Sequence, residues 1–155
     1  VAEAQSVITD EMRKLIGVES EPWTVEVEKT DVRMFARSVG HTDPIFYDET
    51  EAKQRGYSSI VAPPGYLGTP IFMPGSAQRG APQLNIPYHR RLNGGTEIEY
   101  FDDICAGAVL NATSQIAKIE ETSGRLGPMV IVTTETIYRR GNTIVAKLRG
   151  TGIRY

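Results

Sequence analysis

Apolar and polar positions change period along this chain, and the change divides it into a helical half and a strand half. In residues 6–16, Val7, Ile8, Met12, Leu15 and Ile16 recur at helical spacing. Thr9 or Asp10 is placed to cap that helix and Gly17 to end it. Residues 22–28 then alternate apolar with polar, which predicts a short half-buried strand. A second helix is expected over 30–39, with Val32, Phe35, Ala36 and Val39 on one face, Thr30 or Asp31 as cap and Gly40 as terminator. The loop 40–48 follows. Asp48 or Thr50 can cap a further short helix that runs through Gln54 and is stopped by Gly56.

From residue 60 to 87 the pattern breaks up. Pro63, Pro64, Pro70, Pro74, Pro82 and Pro87 share this stretch with Gly65, Gly68, Gly75 and Gly80. Proline inside a helix costs ~3 kcal/mol, so only residues 65–72 can be helical, and that helix must be short or broken. Residues 73–88 read as a long loop. Beyond it, 96–101, 108–120, 129–139 and 143–155 are rich in Thr, Val and Ile and predict strands. The breaks at Asp102-Asp103, Ser123-Gly124 and Arg140-Gly141-Asn142 suggest that consecutive strands pair as antiparallel hairpins or a meander. The economical packing is α+β: one curved antiparallel sheet wrapped over a short or broken central helix.

Composition narrows the function classes. At 155 residues the chain is expected to form a single domain, with residues 1–20 as a helical extension. Its 17 Lys and Arg against 19 Asp and Glu give a net charge of −2, which leaves no concentrated basic face for nucleic acid or an anionic membrane. Cys105, the one cysteine, cannot form an internal disulfide, and with two scattered histidines it cannot build a zinc cage, so no metal is expected. With no long apolar run and no signal-peptide pattern, a cytoplasmic location is expected.

The run Phe35-Ala36-Arg37-Ser38-Val39-Gly40-His41-Thr42-Asp43-Pro44-Ile45-Phe46-Tyr47-Asp48, followed by Gly56-Tyr57 and Val61-Ala62-Pro63-Pro64, resembles the MaoC-like hydratase family. More narrowly it is similar to that family's N-terminal, FAS1-like dehydratase branch. Residues 92–101 and 124–129 resemble the same branch. The resemblance implies a hotdog fold and a CoA or acyl-carrier thioester as ligand, with no separate cofactor.

Active members of that family carry an Asp and a His five residues apart on this loop. Hydration needs such groups, because water adds at the β-carbon while a proton moves at the α-carbon. A helix N-terminal N–H must also polarise the thioester carbonyl. Registered on Gly40 and Pro44, the Asp position here holds His41 and the His position holds Phe46, which cannot transfer a proton. The resemblance therefore implies the non-catalytic subunit of a heteromeric (R)-specific enoyl-CoA hydratase or 3-hydroxyacyl dehydratase. Its partner would be a MaoC-like chain carrying the Asp/His pair. The broken segment 65–88 would leave room for a bulky acyl group, steroid side-chain-like in some family examples.

Individual residues fall into place around that reading. Phe46, Tyr47, Gly65, Tyr66, Phe72 and Met73 are expected to line the acyl groove, with the Gly65 N–H free at a helix start. Arg90, Arg91 and Arg125 are the candidates for CoA phosphates. A self-sufficient homodimeric hydratase would instead use His41 as base, oriented by Asp43. A binding module without turnover would also lack the pair. A hotdog thioesterase needs an acid near the central helix, and residues 65–72 contain none.

Overall fold

The computed structural model describes residues 6–68 and 80–155. Five strands, β1 (Trp23–Glu26), β2 (Arg91–Tyr100), β3 (Val109–Gly124), β4 (Gly127–Arg140) and β5 (Thr143–Arg154), form one antiparallel sheet in the order β1-β3-β4-β5-β2. Three short helices, α1 (Asp10–Lys14), α2 (Lys29–Ser38) and α3 (Glu49–Gln54), and two 3-10 turns, Pro44–Phe46 and Tyr66–Gly68, accompany it. The α+β arrangement expected from the hydrophobic pattern is present. Of the central segment 65–72, the described part is only that single turn at Tyr66–Gly68, and the rest lies outside the described residues.

Pairing departs from a simple meander. β3, β4 and β5 are joined by tight hairpins, but β2 pairs with β5 at the far edge, so Asp102-Asp103 closes no hairpin. Residues after β2 are bound elsewhere: Ala62 N–H donates to Ile104 O at 2.7 Å, Ala106 N–H to Ile60 O at 2.9 Å and Gly107 N–H to Val27 O at 2.7 Å. Buried Ile104, Cys105 and Ala106 thereby carry the chain across the sheet's end to β3. Backbone groups satisfied this way have no need of a hairpin partner. β2 also begins earlier than the alternation suggests, absorbing Gly94 and Gly95 through a bulge between Asn93 and Gly95.

One face of the sheet carries the core. Leu110, Ala112, Ser114 and Ile116 alternate inward along β3. A register shift between Ile116 and Lys118 then inserts one residue, which returns Ile119 to the buried face. Val25, Val27, Val32, Ile60, Leu110 and Val145 form the main core with Tyr66 and Tyr138, each aliphatic residue contributing about 2 kcal/mol on burial. A second cluster packs Ile8 and Met12 against Ile116, Ile119 and Val130.

Helix ends correct the expectations in two places. Thr9 caps α1 and Asp48 caps α3, the latter accepting from Thr50 N–H at 2.8 Å. α2, however, starts one residue early, with Glu28 at the cap and no side-chain bond, so neither Thr30 nor Asp31 caps it. Val39 is 52% exposed: α2 ends at Ser38, and Val39 is its non-helical C-cap rather than a residue of the buried face.

Candidate functional site

The loop after α2 is held from several sides. His41 N–H donates to Ala36 O at 2.9 Å, and the Tyr47 hydroxyl donates to His41 O. Asp43 caps the Pro44–Phe46 turn, its carboxylate accepting from Ile45 N–H at 3.1 Å, with Pro44 at the first position where no N–H is required. Arg33 Nε donates to Tyr47 O at 2.9 Å, and Val61 N–H donates to Ile45 O at 3.0 Å.

Phe46 is 8% exposed and packs with Ala36, Val61 and Cys105, flanked by Ile45, Tyr47 and Tyr57. The half-buried His41 ring lies beside it, with centroids 5.0 Å apart and planes tilted by 50°. Asp43 is engaged by Ile45 N–H and by Arg55, whose Nη1 approaches it at 3.2 Å. The imidazole therefore faces a benzyl group, and the nearby carboxylate answers a guanidinium. This arrangement gives the loop a fixed shape, and among the described residues no hydrogen bond joins the His41 ring to the Asp43 carboxylate.

A second construction surrounds the turn after Pro64. Gly65 adopts φ +91°, a conformation that favours glycine, and a Cβ there would stand 3.3 Å from Phe35 Cζ. Its N–H is not free as the sequence suggested: it donates to the Tyr100 hydroxyl at 3.2 Å. The Tyr138 hydroxyl donates to Leu67 O at 3.3 Å, so phenols from β2 and β4 clasp the turn from the sheet. Tyr66 is buried and meets Phe35 edge-on at 6.0 Å. Burial is the main cause that pushes Tyr66 and Tyr138 up to about 12 and raises Tyr100. Asp31 adds to the shift at Tyr66, and Tyr100 to that at Tyr138. These phenols remain protonated donors and acceptors at neutral pH.

The expected groove residues thus divide between two clusters. Tyr66 belongs to the main core, whereas Phe46 and Tyr47 belong to the cluster under the loop; Phe72 and Met73 lie outside the described residues. Arg90 lies over the Tyr155 ring at 5.9 Å, Arg91 begins β2 opposite Arg154, and exposed Arg125 stands in the two-residue turn between β3 and β4. Tyr100, Tyr138 and Arg154 were not singled out from the sequence. Tyr100 shares a strand face with Ile98, and that alternation was the available signal. Among the described residues, no group of three or more His, Cys, Asp or Glu side chains is arranged to hold a metal ion, and no helix is long and apolar enough to cross a membrane.

Comparison with known proteins adds to this geometry. The family model for the FAS1-like, dehydratase domain region matches residues 14–147. A UPF0336 protein from Streptomyces avermitilis is 32% identical over 99 residues, 64% of this chain and 66% of the relative, so the match spans just under two thirds of that relative's length. Among solved structures, the ChsH1-ChsH2 complex from Mycobacterium tuberculosis matches with a TM-score of 0.72 at 16% identity, covering 88% of each chain. The truncated HadBC (3R-hydroxyacyl-ACP dehydratase) complex from the same organism gives a TM-score of 0.70 at 19% identity, over 90% of this chain and 96% of that one. These likenesses establish the hotdog fold.

Proposed function

Because the chain belongs to the FAS1-like dehydratase domain family, we propose that it is the non-catalytic subunit of a heteromeric (R)-specific enoyl-thioester hydratase, or 3-hydroxyacyl-thioester dehydratase, inactive alone. The observation that carries the reading is Phe46: the side chain in register with the family's His is a buried phenyl ring packed on Ala36, Val61 and Cys105. His41, at the Asp position, lies beside that ring, and Asp43 is held by Arg55. Both structural relatives described above are named as complexes of two components, which supports a MaoC-like partner carrying the Asp/His pair.

On this reading the chemistry is divided. The partner's pair holds water and moves the proton, while this chain supplies a rigid loop and part of the wall around an acyl-CoA or acyl-carrier thioester. The prolines and glycines of residues 60–87 favour a large acyl group, because a long straight helix there would fill the groove.

The test is reconstitution. The purified chain is expected to leave a medium-chain trans-2-enoyl-CoA unhydrated, and co-expression with a MaoC-like Asp/His chain to give a co-purifying, active assembly. Hydration by the chain alone, abolished by His41→Ala, would replace this reading with a self-sufficient enzyme. Thioester binding without turnover in any assembly would make it a binding module.

A further inference from the structure

At the other end of the sheet, two adjoining cavities share Arg91, Val132, Thr134 and Arg154. The first, about 200 Å³ and partly open to solvent, is also lined by Gln83, Leu84, Ile86 and Ile116 among others. The second, about 410 Å³, runs over Gly150 and Gly152 of β5. Arg91 and Arg154 are direct cross-strand partners, which sets their Cβ atoms about 5 Å apart on one face. Like charges so placed repel. Neither takes part in an ion pair among the described residues, whereas Arg55, Arg140 and Arg149 all do. Burial, and next the charge of Arg91, lower the pKa of Arg154. Arg91 opens β2 and Tyr100 closes it, so ten residues of strand, roughly 30 Å, separate this place from the clasped turn.

We propose that Arg91 and Arg154 form a fork for the oxyanion head, phosphate or carboxylate, of an amphipathic ligand whose apolar part lies along Leu84, Ile86 and Val132. Two guanidiniums facing one cavity match a shared oxyanion in charge and in hydrogen-bond geometry. The Gln83 side chain adds a polar group at the wall and Thr134 a hydroxyl, the latter donating to Gly150 O at 3.4 Å. The apolar side chains of Leu84, Ile86 and Val132 beside the fork distinguish this site from one for a bare inorganic ion. An anion bound there removes a repulsion that the empty fork must bear, and that relief favours occupancy. The inference concerns binding by this chain itself and does not depend on the proposed division of catalysis.

The full chain is titrated with dodecyl phosphate, dodecanoate and inorganic pyrophosphate, following Tm and calorimetric heat. Dodecyl phosphate or dodecanoate is expected to bind and raise Tm, with Arg91→Gln and Arg154→Gln each weakening binding at least tenfold. A preference for dodecyl phosphate assigns a phosphate head, and one for dodecanoate a carboxylate. Without ligand, each variant is expected to melt at or above the wild type, because removing one guanidinium relieves the repulsion. The proposal is overturned if neither amphiphile binds at millimolar concentration, or if both variants bind as the wild type does. It is equally overturned if pyrophosphate binds as tightly as the better amphiphile, or if the ligand-free variants melt well below the wild type.

Discussion

Replacing Phe46 with alanine tests whether this ring is a packing element. The side chain is 8% exposed and packs with Ala36, Val61 and Cys105, with the tilted His41 ring 5.0 Å away. Truncating a buried phenylalanine removes its transfer free energy and leaves a cavity, together about 3–5 kcal/mol. This cluster is small and next to a surface loop that can partly collapse, so the lower end, about 3 kcal/mol, is expected. For a domain of this size that is roughly 6–12 °C in Tm. Phe46→Leu keeps most of the volume and is expected to cost less than about 1.5 kcal/mol. Urea and thermal unfolding of the purified variants give both numbers, and turnover of the reconstituted assembly gives a third. Phe46→Leu should leave that turnover within about twofold, which is under 1 kcal/mol in barrier. If Phe46→Ala unfolds within about 1 kcal/mol of wild type, or if Phe46→Leu abolishes turnover at unchanged stability, the reasoning fails.

Three further outcomes follow from the clasp and the core. Tyr100→Phe removes the acceptor for Gly65 N–H and is expected to destabilise by about 1–2 kcal/mol, measurable as a lower urea midpoint; an unchanged midpoint would mean that water serves the amide equally well. Tyr66 and Tyr138 titrate at about 12 in the fold against about 10 unfolded, so their contribution is intact below pH 10 and is lost as pH rises from about 10 toward 12. Urea midpoints at about pH 9 and about pH 11 should differ accordingly, and Tyr138→Phe should flatten the fall. Ser59→Ala is expected to be neutral or stabilising by up to about 1 kcal/mol, because the buried Ser59 hydroxyl lacks a hydrogen-bond partner among the described residues; a loss above that on melting would reveal a partner.

The fold class was legible because strand alternation and the glycine and proline stops are local signals. Thr9, Asp48, Gly40 and Gly56 stand where helix ends require them, whereas α1 stops at Lys14, before Gly17, whose N–H binds Ile116 O instead. The position of β2 was not legible: pairing it with β5 depends on buried Ile104 and Ala106 binding residues 60–62, a long-range contact with no local pattern. The departure at His41 and Phe46 was readable from register alone, whereas the burial of Phe46 needed the fold. Gly65 shows the same limit. Its place after two prolines suggested a free amide, and only the approach of β2 supplies the phenol that occupies it. Arg154 gained meaning only once pairing set it beside Arg91.

The far-edge seat of β2 imposes an order of events on folding. β2 is complete at Tyr100, yet its partner among the described strands, β5, begins at Thr143. Closing so distant a pair carries an entropic penalty that the two local hairpins avoid. The three-stranded unit β3–β4–β5 is therefore expected to form before β2 pairs with it. Until then the Tyr100 hydroxyl is missing from the Gly65 turn, so the turn is expected to settle only after β2 has docked.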